Sequence, residues 1–170
     1  MHQYSVSTEI ATAAKWPHEL FLINLIFNHI LMFVAFLTAS SLQKLTIIVP
    51  VVSLFILSYM LWRARKSMQI DPWFVKCNWQ LAARRSRLFI LVILIMLAVM
   101  LTLFLISGGN MRPHHWAFFG VGIMPTMLSV LGLVIMESDA LHQARYGRMP
   151  KWLSERYPED SLQPELELGR

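Results

Sequence analysis

Four stretches of this chain, roughly 20–39, 45–62, 88–106 and 116–136, contain no Asp, Glu, Lys or Arg. Each is close to the ~20 residues an α-helix needs to cross ~30 Å of hydrocarbon. A soluble domain carries about 25% charged residues, whereas this chain of 170 residues carries 15% against 56% hydrophobic. Apolar blocks of that length and number cannot be hidden inside a single water-soluble core. The pattern predicts an all-α polytopic membrane protein. Four transmembrane helices form two antiparallel hairpins, and a short interfacial helix lies on the cytoplasmic side. The first block is longer than a signal-peptide core, has Lys15 as its only preceding strong positive charge, and is followed closely by a second block, so it reads as a retained span.

The basic residues set the orientation. Arg63, Arg65, Lys66, Lys76, Arg84, Arg85 and Arg87 fall between the second and third blocks, and Arg145, Arg148, Lys151, Arg156 and Arg170 follow the fourth. Only Lys44 and Arg112 lie in the other two connections. The positive-inside rule therefore puts the 63–87 connection and both chain ends in the cytoplasm, and the expected location is the inner membrane of a bacterium. Topology accounts for the formal charge of +5. Arg63, Arg65, Lys66, Arg84, Arg85 and Arg87 are expected to hold anionic lipid headgroups, and no nucleic-acid partner is expected.

These boundaries divide the chain into a cytoplasmic N-terminal segment (1–17), a four-helix transmembrane domain (18–144) and a cytoplasmic tail (145–170). Ser7 is a candidate N-cap with Glu9 in the first turn behind it, and Pro17 marks a break before the first span. Asp71-Pro72 reads as an N-cap followed by proline at the first helical position, opening the short interfacial helix through Trp73, Phe74, Cys77, Trp79 and Leu81, which either ends there or runs on into span three. Pro50 is a candidate kink in the second span. A short amphipathic turn is expected over 150–157, ended by Pro158, and the segment after it is too poor in apolar residues to fold alone.

Polar groups inside the blocks carry most of the functional information, because hydrocarbon offers them no water. Asn24 and Asn28 are four residues apart and share a face of span one, with His29 about 100° further round. They either bond to a neighbouring helix or line a polar track. In span four, Gly122, Thr126, Ser129 and Gly132 form a small-residue face suited to close helix packing. At the cytoplasmic ends, His18, Glu137, Asp139 and His142 are ligand types that a metal would use, although a solvated helix end with a cationic neighbour is the stronger explanation.

Catalytic signals are missing from the sequence. There is no HExxH, GxSxG or glycine-rich phosphate loop, and Cys77 is the sole cysteine, which excludes dithiol chemistry. A bis-histidine haem needs two imidazoles at one depth, and no other span supplies a partner for His29. No cofactor and no enzymatic activity are therefore expected. Two functions remain: a scaffold, assembly or regulatory subunit of a homo-oligomer or larger membrane complex, or a small oligomeric channel or transporter lined by Asn24, Asn28 and His29.

Overall fold

A computed structural model describes residues 2–39, 41, 42, 45, 48–108 and 113–159, with side chains described throughout except at 2, 37 and 113–123. The first span is one continuous helical rod built of three parts: α1 (Thr8–Ile23), a π-helical segment (Asn24–Met32) and α2 (Phe33–Thr38). It is followed by α3 (Ile48–Ile70), α4 (Trp73–Ile106) and α5 (Pro113–Arg145). Four helices are thus long and apolar enough to cross a membrane. Two short strands, β1 (His2–Gln3) and β2 (Arg148–Met149), pair antiparallel, and a single-turn helix, α6 (Lys151–Arg156), ends the described chain.

Ser7 caps α1 as its side chain predicts, its hydroxyl accepting from the Ile10 amide at 3.3 Å. Pro17 does not break the helix: α1 runs through it, and the proline is buried. A buried proline forfeits one backbone hydrogen bond and strains the turn before it. Packing of α1 on both α4 and α5 supports the helix across that defect. Pro50 sits in the first turn of α3, where a missing N–H leaves no intrahelical bond unmade, so it initiates the helix and does not kink it.

The segment expected to lie on the leaflet is instead the first part of α4. This helix of 34 residues is about 51 Å long, roughly 20 Å more than the hydrocarbon core needs. Phe74, Val75, Cys77, Trp79, Leu81, Ala82 and Ala83 are buried in the bundle. Asp71 does not cap α4. Its carboxylate turns back to Arg63, receiving Nη1 at 2.7 Å and Nη2 at 2.9 Å, and the Arg63 guanidinium also stacks 5.0 Å from the centre of the Trp79 ring.

The core falls into two parts. One, around Phe21, Leu25, Leu57, Met60, Phe89, Val130 and Leu133, fills the middle of the bundle. The other, around Ala14, Phe74, Val75, Trp79, Ala140, Met149 and Leu153, forms a cap at the end where the strands pair. Tyr4 packs edge-on against Trp73 at 5.1 Å, and the Trp73 indole N–H donates to the Tyr157 carbonyl at 2.6 Å, so both chain ends close over the start of α4. Helix α5 ends in a left-handed glycine, Gly147 (φ 65°), whose carbonyl accepts from the Tyr4 amide at 2.8 Å. Beyond Phe89, α4 is mostly exposed, with Ile90 and Ile93 still packed on the central core: 6% of its most apolar stretch is buried, against 28% in the corresponding stretch of each of the other three spans. That stretch is the face that lipid or a partner must cover.

Candidate functional site

Where α1, α4 and α5 meet, His18, Asn78, Arg85 and Glu137 form one polar cluster. The His18 side chain is fully buried, and so is Glu137. Nδ1 of His18 lies 2.6 Å from Oε2 of Glu137, and Nε2 lies 3.1 Å from Oδ1 of Asn78. The Asn78 amide orientation is fixed by its other end, where Nδ2 donates to the Phe74 carbonyl at 2.8 Å. Reversing the amide would set two oxygens against each other there. Both ring nitrogens of His18 therefore face oxygen atoms of neighbouring side chains. The second carboxylate oxygen of Glu137 accepts from Arg85 Nη1 at 3.0 Å, and the same nitrogen donates to the Met136 carbonyl at 2.9 Å.

The cluster thus joins an imidazole, an amide, a guanidinium and a carboxylate at a helix junction where His18 and Glu137 are fully buried. Groups so placed lose their hydration, and the arrangement is tolerable only because each is hydrogen-bonded to a partner. Its geometry is that of a clamp: it ties α1 to α4 and α5 at one depth. Of the four ligand-type residues singled out in the sequence, His18 and Glu137 meet, whereas Asp139 and His142 stay apart from them. Asp139 accepts from Gln143 at 2.6 Å, and the exposed His142 ring lies against Tyr146. Among the described residues no group of three or more His, Cys, Asp or Glu is placed to hold a metal ion.

A second network lies deeper in span one. Asn24 Nδ2 donates to Ser53 Oγ at 3.1 Å. Asn28 Nδ2 is shared between Asn24 Oδ1 at 3.2 Å and the Val49 carbonyl at 2.9 Å. His29 Nδ1 donates to the Asn24 carbonyl at 3.1 Å, and its ring meets Phe89 edge-on at 4.8 Å. The three residues fall inside the π-helical segment, whose wider turn brings residue 29 over the carbonyl of residue 24. Asn24, Asn28 and His29 are all buried, and they bond to α3 or to their own turn. The Asn28 carbonyl oxygen is buried without a partner.

The basic residues expected at lipid headgroups divide. Arg65, Lys66, Arg84 and Arg87 are exposed, with Lys66 over Trp62 and Arg84 over Trp152. Arg63 and Arg85 are instead engaged inside the molecule, with Asp71 and Glu137. Burial raises the Asp71 carboxyl, but the hydrogen bonds and charge of Arg63, together with the charge of Lys76, outweigh it and hold Asp71 below the usual carboxylate range.

The small-residue face of α5 divides as well. Thr126 is buried and Ser129 bonds back to the Pro125 carbonyl at 2.8 Å, but Gly132 faces outward with open space where a Cβ would stand. The surroundings of Gly122 lie outside the described side chains, as do those of His114 and His115. The buried stripe of α5 is Thr126, Val130, Leu133, Glu137, Ala140 and Ala144, a run of three- and four-residue steps that omits Gly132. No protein-family description, curated protein or solved structure matches this chain.

Proposed function

We propose that the protein is a non-enzymatic subunit of the bacterial inner membrane, a scaffold, assembly or regulatory component that packs against copies of itself or a larger membrane complex. The observation that carries this reading is the engagement of Asn24, Asn28 and His29 in bonds within the chain. Residues that serve as ties between helices do not line a water-filled path, which weighs against the channel or transporter reading. The surfaces left for a partner are apolar: Leu128, Leu131, Gly132 and Ile135 on α5, and the exposed far end of α4.

The spans form two antiparallel hairpins, with both ends of the chain and the α3–α4 connection in the cytoplasm. The distribution of Lys and Arg supports that side. The pairing of β1 with β2 supports a common side for residues 2–3 and 148–149.

The test compares two variants in native membranes and in mild detergent. Gly132→Leu adds bulk where this chain has open space, so the expected result is an intact fold with a smaller assembly on native gels. Asn28→Leu with His29→Leu is expected to change stability and leave ion flux through reconstituted vesicles at its background value. Flux in the wild type that disappears in the double variant, with assembly unchanged, would overturn the proposal in favour of transport.

A further inference from the structure

Between the start of α1 and the end of α5 lies an open cleft of about 470 Å³. Thr8, Ala11, Thr12 and Lys15 form one wall, and their spacing puts them on a single face of α1. Ser5 adds a hydroxyl from the preceding segment, and Arg145 and Gly147 stand opposite at the end of α5. The charge of the lining has one sign, because Lys15 and Arg145 contribute to it and no Asp or Glu does. Neither cation takes part in the three ion pairs formed among the described residues, which engage His18, Arg63, Arg85, Asp71 and Glu137. Glu9, the acid of the same helical turn, lines a different cleft on the other side of α1.

Two unpaired cations from elements 130 residues apart, ringed by hydroxyl donors, make a site for a polyoxygen anion. A guanidinium matches the paired oxygens of a phosphate, an ammonium adds a point charge, and Ser and Thr hydroxyls donate to the oxygens that remain. The level of the cleft also fits. Lys15 lies one turn before buried His18 and next to Trp16, which is 48% exposed, as expected of an aromatic residue at a membrane interface. We infer that the cleft between Lys15 and Arg145 binds a phosphate group, carried either by an anionic lipid headgroup or by a small soluble phosphate ester. This site is separate from the assembly surface on α5. It requires only that the start of α1 stand at headgroup level.

The protein, purified in mild detergent, is assayed by native mass spectrometry for adducts of phosphatidylglycerol and phosphatidylcholine, and by calorimetry for inorganic phosphate and glycerol 3-phosphate. The expected result is preferential retention of phosphatidylglycerol, weakened about fivefold for each cation removed in Lys15→Gln and Arg145→Gln. The control Lys151→Gln with Arg156→Gln removes the same charge from exposed positions outside the cleft and should retain the preference. Thr12→Leu, at an exposed position of the cleft wall, fills the site without altering charge and should also lose it. Binding of the soluble phosphates alone, with the same dependence on Lys15 and Arg145, assigns the site to a soluble ester. No preference in the wild type, equal loss in the Lys151/Arg156 control, or a preference untouched by Thr12→Leu and by removal of both cations would each overturn the inference. Native gels on the same samples report the assembly separately.

Discussion

Glu137 and His18 stand 119 residues apart in the chain, yet their side chains meet at 2.6 Å with neither exposed to solvent. Each is the other's main compensation for losing water, and Arg85 and Asn78 complete the set. Removing one member of this buried pair leaves its partners unsatisfied, which costs about 1–3 kcal/mol, and more where a charged group such as Arg85 is among them. Glu137→Gln and His18→Gln should therefore each lower the unfolding temperature in detergent markedly. The double substitution should cost well below the sum of the two, because the second change removes a group already left without its partner. Strict additivity in that cycle would show that the two residues do not act as a pair.

The deeper network should be cheaper to dismantle. Asn24 bonds to Ser53 and receives Asn28, and hydrogen bonds between membrane helices are worth about 0.6–2 kcal/mol. Asn24→Leu and Ser53→Ala are expected to destabilise by that order, less than either change at the clamp. An unfolding series in sodium dodecyl sulfate would rank them, and a larger loss at Asn24 than at Glu137 would contradict the ranking.

Gly147 should tolerate no side chain. Its φ is 65°, and an added Cβ would stand 2.5 Å from the Tyr4 carbonyl oxygen. Gly108 has nearly the same φ, 60°, with open space around it. Gly108→Ala is expected to cost only the left-handed backbone penalty of about 1–2 kcal/mol. Gly147→Ala adds a clash with backbone and should separate β1 from β2. Faster hydrogen exchange at the Tyr4 amide in Gly147→Ala, but not in Gly108→Ala, is the expected readout.

Acid should loosen the turn between α3 and α4. The Asp71 carboxyl is held below its ordinary value of 3.8 by its partners. Its contribution is therefore fully present above that value and is lost as pH falls through the lower, folded value. Asp71→Asn should remove this part of the pH dependence. Wild type and variant titrated together between neutral pH and pH 2 should converge at the acid end, and parallel curves throughout would refute the assignment.

Cys77 reports on the cap. Its side chain is fully buried next to the Tyr157 carbonyl, so a water-soluble maleimide should label it only when α6 and β2 lift away. Leu153→Ala removes a buried anchor of α6 and should speed labelling severalfold while leaving the spans intact. Rapid labelling of the native wild type would show the cap to be open.

The four spans, the Ser7 cap and the shared face of Asn24 and Asn28 were legible because each depends on residues within a few turns of one another. Helical periodicity reports that range directly. The clamp was legible only in part: His18 and Glu137 stood out as ligand types, but Asn78 and Arg85 did not. Their partners are set by the depth at which α4 crosses α1 and α5, a quantity that no local spacing encodes. One signal was available, since Glu137 follows an uncharged run and a carboxylate at that position needs a cation. The burial of the 73–81 segment was not legible for a related reason. Its apolar residues occur on every side, which suits a helix surrounded by protein better than one resting on a leaflet.

The ladder between residues 2–3 and 148–149 has a bearing on biogenesis. A ribosome delivers residue 2 first, and its strand partner emerges only after the fourth span has been made. Until then β1 has no ladder partner, although Tyr4 can already meet Trp73, so the ladder can close only after the fourth span is made. Truncation that removes residues 148–149 should thus unsettle residues 2–3 as well.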